Sequence, residues 1–242
     1  MFVRSELKTQ AKAIMKGKYF TMILVCLVAA FFSASILGVS YDMENEIAMV
    51  TLLQSYSFYV NYNKAVMMAL PITLIGILWV FFVALPGSVG VDCFFQRCTT
   101  GQQQFSDVWS GFRVNYALKI KTMALVWLKV FLWSLLLIIP GIIKSLSYVF
   151  VPYLLNDYPE LEPGEILKLS EEMTKGIRWK MVVLWLSFIL WFIAAGFVDY
   201  VLPTLGTLLL TPYLYQTDAQ LYHWAKENRL NTHDEGEGIT HD

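Results

Sequence analysis

Uncharged apolar stretches alternate along the chain with short basic, amphipathic ones. Residues 19–41 form a run of 23 without a charge, bounded by Lys18 and Asp42, and residues 65–91 a run of 27 between Lys64 and Asp92. Residues 181–198 and 200–217 give 18 each and are separated only by Asp199. A helix needs about 20 apolar residues to cross the hydrocarbon layer, within roughly 17–25. These four stretches therefore predict membrane spans. Residues 122–156 are also apolar, but Lys129 and Lys144 interrupt them and Pro140-Gly141 breaks the run. Proline removes a helix hydrogen bond and clashes with the preceding turn. Pro140 and Gly141 thus predict either a kink in one long span or a join between two shorter ones.

Helical periodicity marks the segments between the runs. Phe105, Val108, Trp109, Phe112 and Tyr116 fall on one helical face, as do Ile166, Leu169, Met173 and Ile177. Leu7, Ala11 and Ile14 make a weaker stripe opposed by Lys8, Lys12 and Lys16. Charge then decides the topology. If residues 122–156 cross twice, 15 of the 18 basic residues fall in segments on one side, and Lys168, Lys175, Arg178 and Lys180 are among them. Basic residues near span ends prefer the cytoplasmic side. The expected fold is all-α, a polytopic helical bundle of about six spans near 19–41, 65–91, 120–139, 142–156, 181–198 and 200–222, with both termini cytoplasmic. In this arrangement the amphipathic segments lie as surface helices on the cytoplasmic face.

The order of segments repeats. Each amphipathic segment has a glycine near its end, Gly17, Gly111 or Gly176, and each following hairpin carries a proline, Pro86, Pro152 or Pro212. The prolines are 66 and 60 residues apart, and Gly111 and Gly176 are 65 apart. This reads as three units of amphipathic helix plus hairpin within one membrane domain, residues 1–227. The polar, acidic residues 228–242 cannot bury enough apolar area to offset their ordering entropy and are expected to be a disordered tail. The N-terminal apolar run is longer than a signal-peptide core and no clear cleavage site follows it.

Composition sharpens the picture. Hydrophobic residues make up 57% of the 242 and charged ones 15%, against roughly 25% charged in soluble domains. The mean hydropathy is +0.52. A net charge of −1 speaks against a nucleic-acid partner, and three cysteines against a disulfide scaffold.

The stretch Leu135-Leu136-Leu137-Ile138-Ile139-Pro140-Gly141-Ile142-Ile143-Lys144 is followed by Ser147-Tyr148 and then by Pro152-Tyr153-Leu154-Leu155-Asn156-Asp157-Tyr158-Pro159. With Ser170, Met173, Gly176 and Pro212-Tyr213 further on, the chain resembles the bacterial integral-membrane family catalogued as domain of unknown function 975. The likeness runs from Leu7-Lys8 to about Trp224. Where the family has a small hydroxyl residue near the start of the helix at Ile166, this chain has Pro163-Gly164-Glu165. The resemblance implies a multi-pass bacterial membrane protein and no particular activity.

Catalytic and metal-binding signatures are missing: there is no H-E-x-x-H, C-x-x-C pair, P-loop or G-x-S-x-G. No enzyme activity, cofactor or metal is expected. Cys93 and Cys98 read as structural thiols. Lys129 is the most expensive residue to insert, at about 2.5–3.5 kcal/mol near mid-membrane. It either snorkels to the interface or pairs with Asp218 or Asp92, and Asp199 with Lys144 is a similar pair on the outer side. Lys168, Lys175, Arg178 and Lys180 are candidate contacts for anionic lipid of the inner leaflet. The expected function is a non-catalytic membrane scaffold or accessory protein that binds lipid, a partner membrane protein or a second copy of itself. The rival reading is a small-solute transporter or channel with Lys129 and Asp218 in its polar path.

Overall fold

The computed structural model describes residues 4–32, 74–113, 115–202 and 204–237, and among them every regular element is a helix. The region of the expected spans at 33–41 and 65–73 lies outside the described residues. Helix α1 (Arg4–Met15) buries Leu7, Ala11 and Met15 and bends by 100° into α2 (Tyr19–Phe32). Helix α3 (Leu74–Thr100) contains a π turn at Val80–Ala84. A 3-10 turn (Phe105–Trp109) and one α turn (Ser110–Arg113) lead to α4 (Tyr116–Leu136). Then come α5 (Ile138–Ser147), α6 (Val151–Asp157), α7 (Pro163–Thr174), α8 (Arg178–Val201) and α9 (Leu205–Glu237). Helices α3 and α8 are each long and apolar enough to cross a membrane, and α1 with α2 would qualify as one bent span.

The corners between amphipathic segments and hairpins are built alike. Gly17 (φ +86°), Asn115 (φ +49°) and Gly176 (φ +84°) all take the left-handed conformation. Glycine adopts it without steric penalty and asparagine more readily than most residues. Gly111, expected at the second corner, instead packs against the carbonyl of Pro86. The stripe from Phe105 to Tyr116 is accordingly no continuous helix. Asp107 accepts the Gln104 N–H at 2.7 Å and Arg97 at 2.6 Å, which fixes a tight 3-10 turn there. At the start of α7, Glu165 accepts the Glu162 N–H at 3.1 Å and the Glu162 side chain accepts the Glu165 N–H in return, a capping box built from two carboxylates.

The break in the central apolar region lies at Leu137, three residues before Pro140. Leu137 is extended (φ −158°, ψ 140°) and the chain doubles back there. Gly141 meets Ser134, Lys144 lies over Trp133 and Lys129 faces Tyr148, the pairing of an antiparallel hairpin. Pro140 sits in the first turn of α5, where its missing N–H breaks no helix bond. The last helix runs past Asn228 to Glu237. Residues 238–242 lie outside the described ones.

Burial is uneven along the hairpins. The core joins Val89, Phe94, Phe95, Phe150, Leu154, Ile166, Leu184 and Tyr222 at the hairpin bases. Toward the tips, apolar side chains of α4, α5 and α8 face outward. The amphipathic segments belong to the base. Ile166 and Leu167 of α7 are fully buried, so this helix caps the bundle while its charged face stays outside.

Candidate functional site

Three polar or amphiphilic features emerge from this frame. The first lies inside the base. Asp218 on α9 accepts the indole N–H of Trp185 at 2.9 Å. Asp92 on α3 lies near Tyr153, and Phe95 stacks on Tyr215 at 5.1 Å. The Gln216 amide is buried there and has no hydrogen-bond partner among the described residues. Nearer the end of the base, Asp157 accepts Gln96 Nε2 at 2.6 Å, the Tyr222 hydroxyl at 2.5 Å and pairs with Lys226 at 2.6 Å. That one carboxylate ties together α3, α6 and α9.

The second feature sits partway up the central hairpin. Glu171 on α7 pairs with Lys144 at 2.6 Å and accepts the Tyr148 hydroxyl at 2.7 Å. The ammonium groups of Lys144 and Lys129 lie 5.6 and 6.0 Å from the Tyr148 ring centre. Arg178 donates to the Glu171 carbonyl at 3.4 Å. Burial pushes the Glu171 carboxyl up, but the bonds from Lys144 and Tyr148 and the charges of Lys144 and Lys129 outweigh it and hold it below its usual range.

The third feature is an open groove of about 580 Å³ between the α1–α2 corner and the hairpin of α8 and α9. Trp191, Val198, Leu209 and Leu210 make apolar walls, and Lys12 and Lys16 stand at its edge. Lys12 lies over the Trp191 and Tyr213 rings at 5.8 and 5.5 Å. Lys8, one turn away, donates to the Ser187 carbonyl at 3.3 Å and covers the Phe188 ring at 4.0 Å. Neither Lys12 nor Lys16 forms an ion pair with a described residue.

The structure separates Lys129 from Asp218. Among the described residues no ion pair joins them: Lys129 faces Tyr148 and Glu171, and Asp218 is held by Trp185. Asp92 lies near Tyr153. Lys144 pairs with Glu171 on the side of the amphipathic helix, while Asp199 accepts the N–H groups of Gly206 (2.6 Å) and Thr207 (3.2 Å) at the start of α9. Of the four candidate lipid contacts, Lys168, Lys175 and Lys180 are exposed and Arg178 turns inward. The thiols of Cys26, Cys93 and Cys98 are free and buried. No group of three His, Cys, Asp or Glu among the described residues is placed to hold a metal.

The Asp157 tie places the stretch from Pro152 to Asp157 at the junction of three helices. The profile described as "Protein of unknown function (DUF975)" matches residues 1–229. The chain belongs to DUF975. No curated protein and no solved structure matches it.

Within this DUF975 chain, sequence reasoning passed over Asp157 as a tie point although it lies in the motif that carried the resemblance. It also passed over the kinship of Asp92 and Asp218. Each follows a helix proline, Pro86 or Pro212, by six residues. That spacing was the available signal. The groove had none, because its walls come from segments more than 170 residues apart.

Proposed function

We propose that this DUF975 chain is an integral protein of the bacterial cytoplasmic membrane with a non-catalytic role, binding anionic lipid through the groove beside α1. Its apolar helices enter the membrane as hairpins from the side of the basic segments, with both termini on the cytoplasmic side. The observation that carries the lipid reading is the groove itself: apolar walls from α8 and α9 end at Lys12 and Lys16, with no acidic partner for either among the described residues. An amphiphile with an acyl chain and a phosphate group fits that polarity. Each cation near anionic lipid adds about 1 kcal/mol of attraction.

A contact that recurs in two of the three units supports a repeat. Pro86 leaves the Phe82 carbonyl without its helix donor, and the Tyr116 hydroxyl donates to that carbonyl at 2.6 Å. In the third unit, the Tyr19 hydroxyl donates to the Leu209 carbonyl at 2.5 Å, three residues before Pro212. In both cases a tyrosine at the start of one hairpin donates to a backbone carbonyl just before the proline of another. Trp179 stands near the corresponding start of the third hairpin and is exposed.

Purification in mild detergent followed by native mass spectrometry tests the lipid reading. The parent chain should retain phosphatidylglycerol, and Lys12→Ala with Lys16→Ala should retain less. Equal retention by both proteins overturns the groove assignment. A second reading, solute transport, draws on the buried Asp92 and Gln216, whose amide has no partner among the described residues, and on the partly buried Asp218. Solute flux in liposomes that is lost in Asp218→Asn would favour it.

A further inference from the structure

The central hairpin differs from α3 and α8 in length and in the chemistry of its tip. Lys129 on α4 and Lys144 on α5 lie at one level, beside Tyr148 and Glu171 of the capping helix. Beyond them, Leu137 is eight residues from Lys129 and seven from Lys144. At 1.5 Å per residue the tip therefore rises only about 10–12 Å above the charged level. The hydrocarbon core is about 30 Å thick.

The tip is built for lipid, not for water. Residues 135–143 carry no polar side chain. Leu135, Leu136, Leu137 and Ile139 are 75%, 71%, 64% and 72% exposed. A loop emerging on the far side would be expected to bring polar or interfacial residues, as the α8–α9 tip does with Asp199, Tyr200 and Thr204. Part of the backbone at the central tip is satisfied internally. Only Leu137 leaves the helical conformation, its N–H bonds the Trp133 carbonyl, Gly141 N–H bonds the Leu137 carbonyl, and Pro140 has no N–H to satisfy. Unsatisfied backbone groups are what exclude ordinary loops from hydrocarbon.

We propose that the hairpin of α4 and α5 is a re-entrant wedge in one leaflet: it enters from the side of the basic helices, keeps Lys129 and Lys144 among anionic headgroups, and ends near the bilayer midplane. The proposal rests on the membrane reading above. It leaves residues 156–180 on the cytoplasmic side and removes two full crossings from the six. Lys129 needs no intramembrane counter-charge in this geometry, because it stays at the headgroup level. Trp127 and Trp133 flank that level, where indole rings favour the interface.

The test uses the full chain in liposomes of phosphatidylethanolamine and phosphatidylglycerol. A nitroxide is attached at Leu136→Cys, an exposed position whose replacement leaves the base intact, and in a second protein at the exposed Lys168→Cys. The native thiols are buried, which keeps the label specific. Leu136→Cys should show high collision rates with oxygen and almost none with a water-soluble nickel chelate, with the depth signature of the bilayer centre. Lys168→Cys should be nickel-accessible. Nickel accessibility at Leu136→Cys in chain that floats with the liposomes means that the tip emerges, and overturns the wedge alone. Failure of the unlabelled chain to float with liposomes overturns the membrane reading on which the wedge rests.

Discussion

Glu171 shows how a residue's role depends on what the fold brings to it. In the sequence it lies on the charged side of an amphipathic stripe, beside Glu172 and Lys175. In the structure it is the acceptor for Lys144 and Tyr148, and the nearby Lys129 adds to the field that holds its proton off. A carboxyl whose folded pKa is depressed contributes stability above its unfolded value, about 4.3 for glutamate, and that contribution is lost as pH falls through the folded value. The parent chain in detergent should therefore lose thermal stability on acidification from pH 6 to below 4. Glu171→Gln should start less stable and lose less over the same interval. Parallel loss in the two proteins would assign the acid sensitivity to other groups. Lys129 belongs to the same neighbourhood. Its apparent expense as a lone cation inside a span disappears once α7 is seen to bring a carboxylate to its level.

At the scale of elements, the central hairpin depends on how closely its legs approach. A Cβ on Gly141 would collide with Ser134 Oγ and lie 2.8 Å from Ser134 Cα, and the second contact is to backbone that cannot swing aside. Gly141→Ala should separate α4 from α5 and destabilise the protein by about 1–3 kcal/mol, as overpacked sites do. Gly164, in the first turn of α7, has open space within 4 Å of where an added methyl group would stand. Gly164→Ala should be neutral or stabilise by about 0.4–1 kcal/mol by restricting the unfolded chain. Melting temperatures of both variants in one detergent check the pair, and equal effects would mean that the hairpin is not tightly packed. The proline at 140 suggested a break by its chemistry. The break falls at Leu137 instead, because proline is compatible with a first helical turn while the extended residue before the helix makes the reversal.

At the scale of the molecule, polar ties and packed side chains concentrate at the hairpin bases and apolar exposure at the tips. The exposed Lys168, Lys175 and Lys180 lie on the base, whereas Arg178 is spent on the Glu171 carbonyl. Reversing the three lysines to glutamate should weaken binding to phosphatidylglycerol vesicles and leave the melting temperature nearly unchanged, since none of them has a packing role. Arg178→Glu should lower the melting temperature, because it removes an inward bond and places a second carboxylate beside Glu171. Vesicle flotation and thermal unfolding separate these effects. If the triple reversal binds vesicles as the parent does, the lysines are merely solvated.

Composition and periodicity alone determine that the chain is helical, rich in apolar stretches and basic between them. Both properties are local: hydropathy is a sum over a window, and a helical stripe depends only on residues three or four apart. The motif around Pro140 and Asp157 was enough to point to DUF975 before any geometry was known. Partner choice was not legible in the same way. Lys129 with Glu171, Trp185 with Asp218, Asp157 with three elements and the lysines of α1 over the rings of α8 and α9 all join residues dozens to nearly two hundred positions apart. An unpaired charge in a sequence admits any opposite charge as its partner. Only the tertiary arrangement, set by left-handed corners and close helix approaches, decides which one it meets.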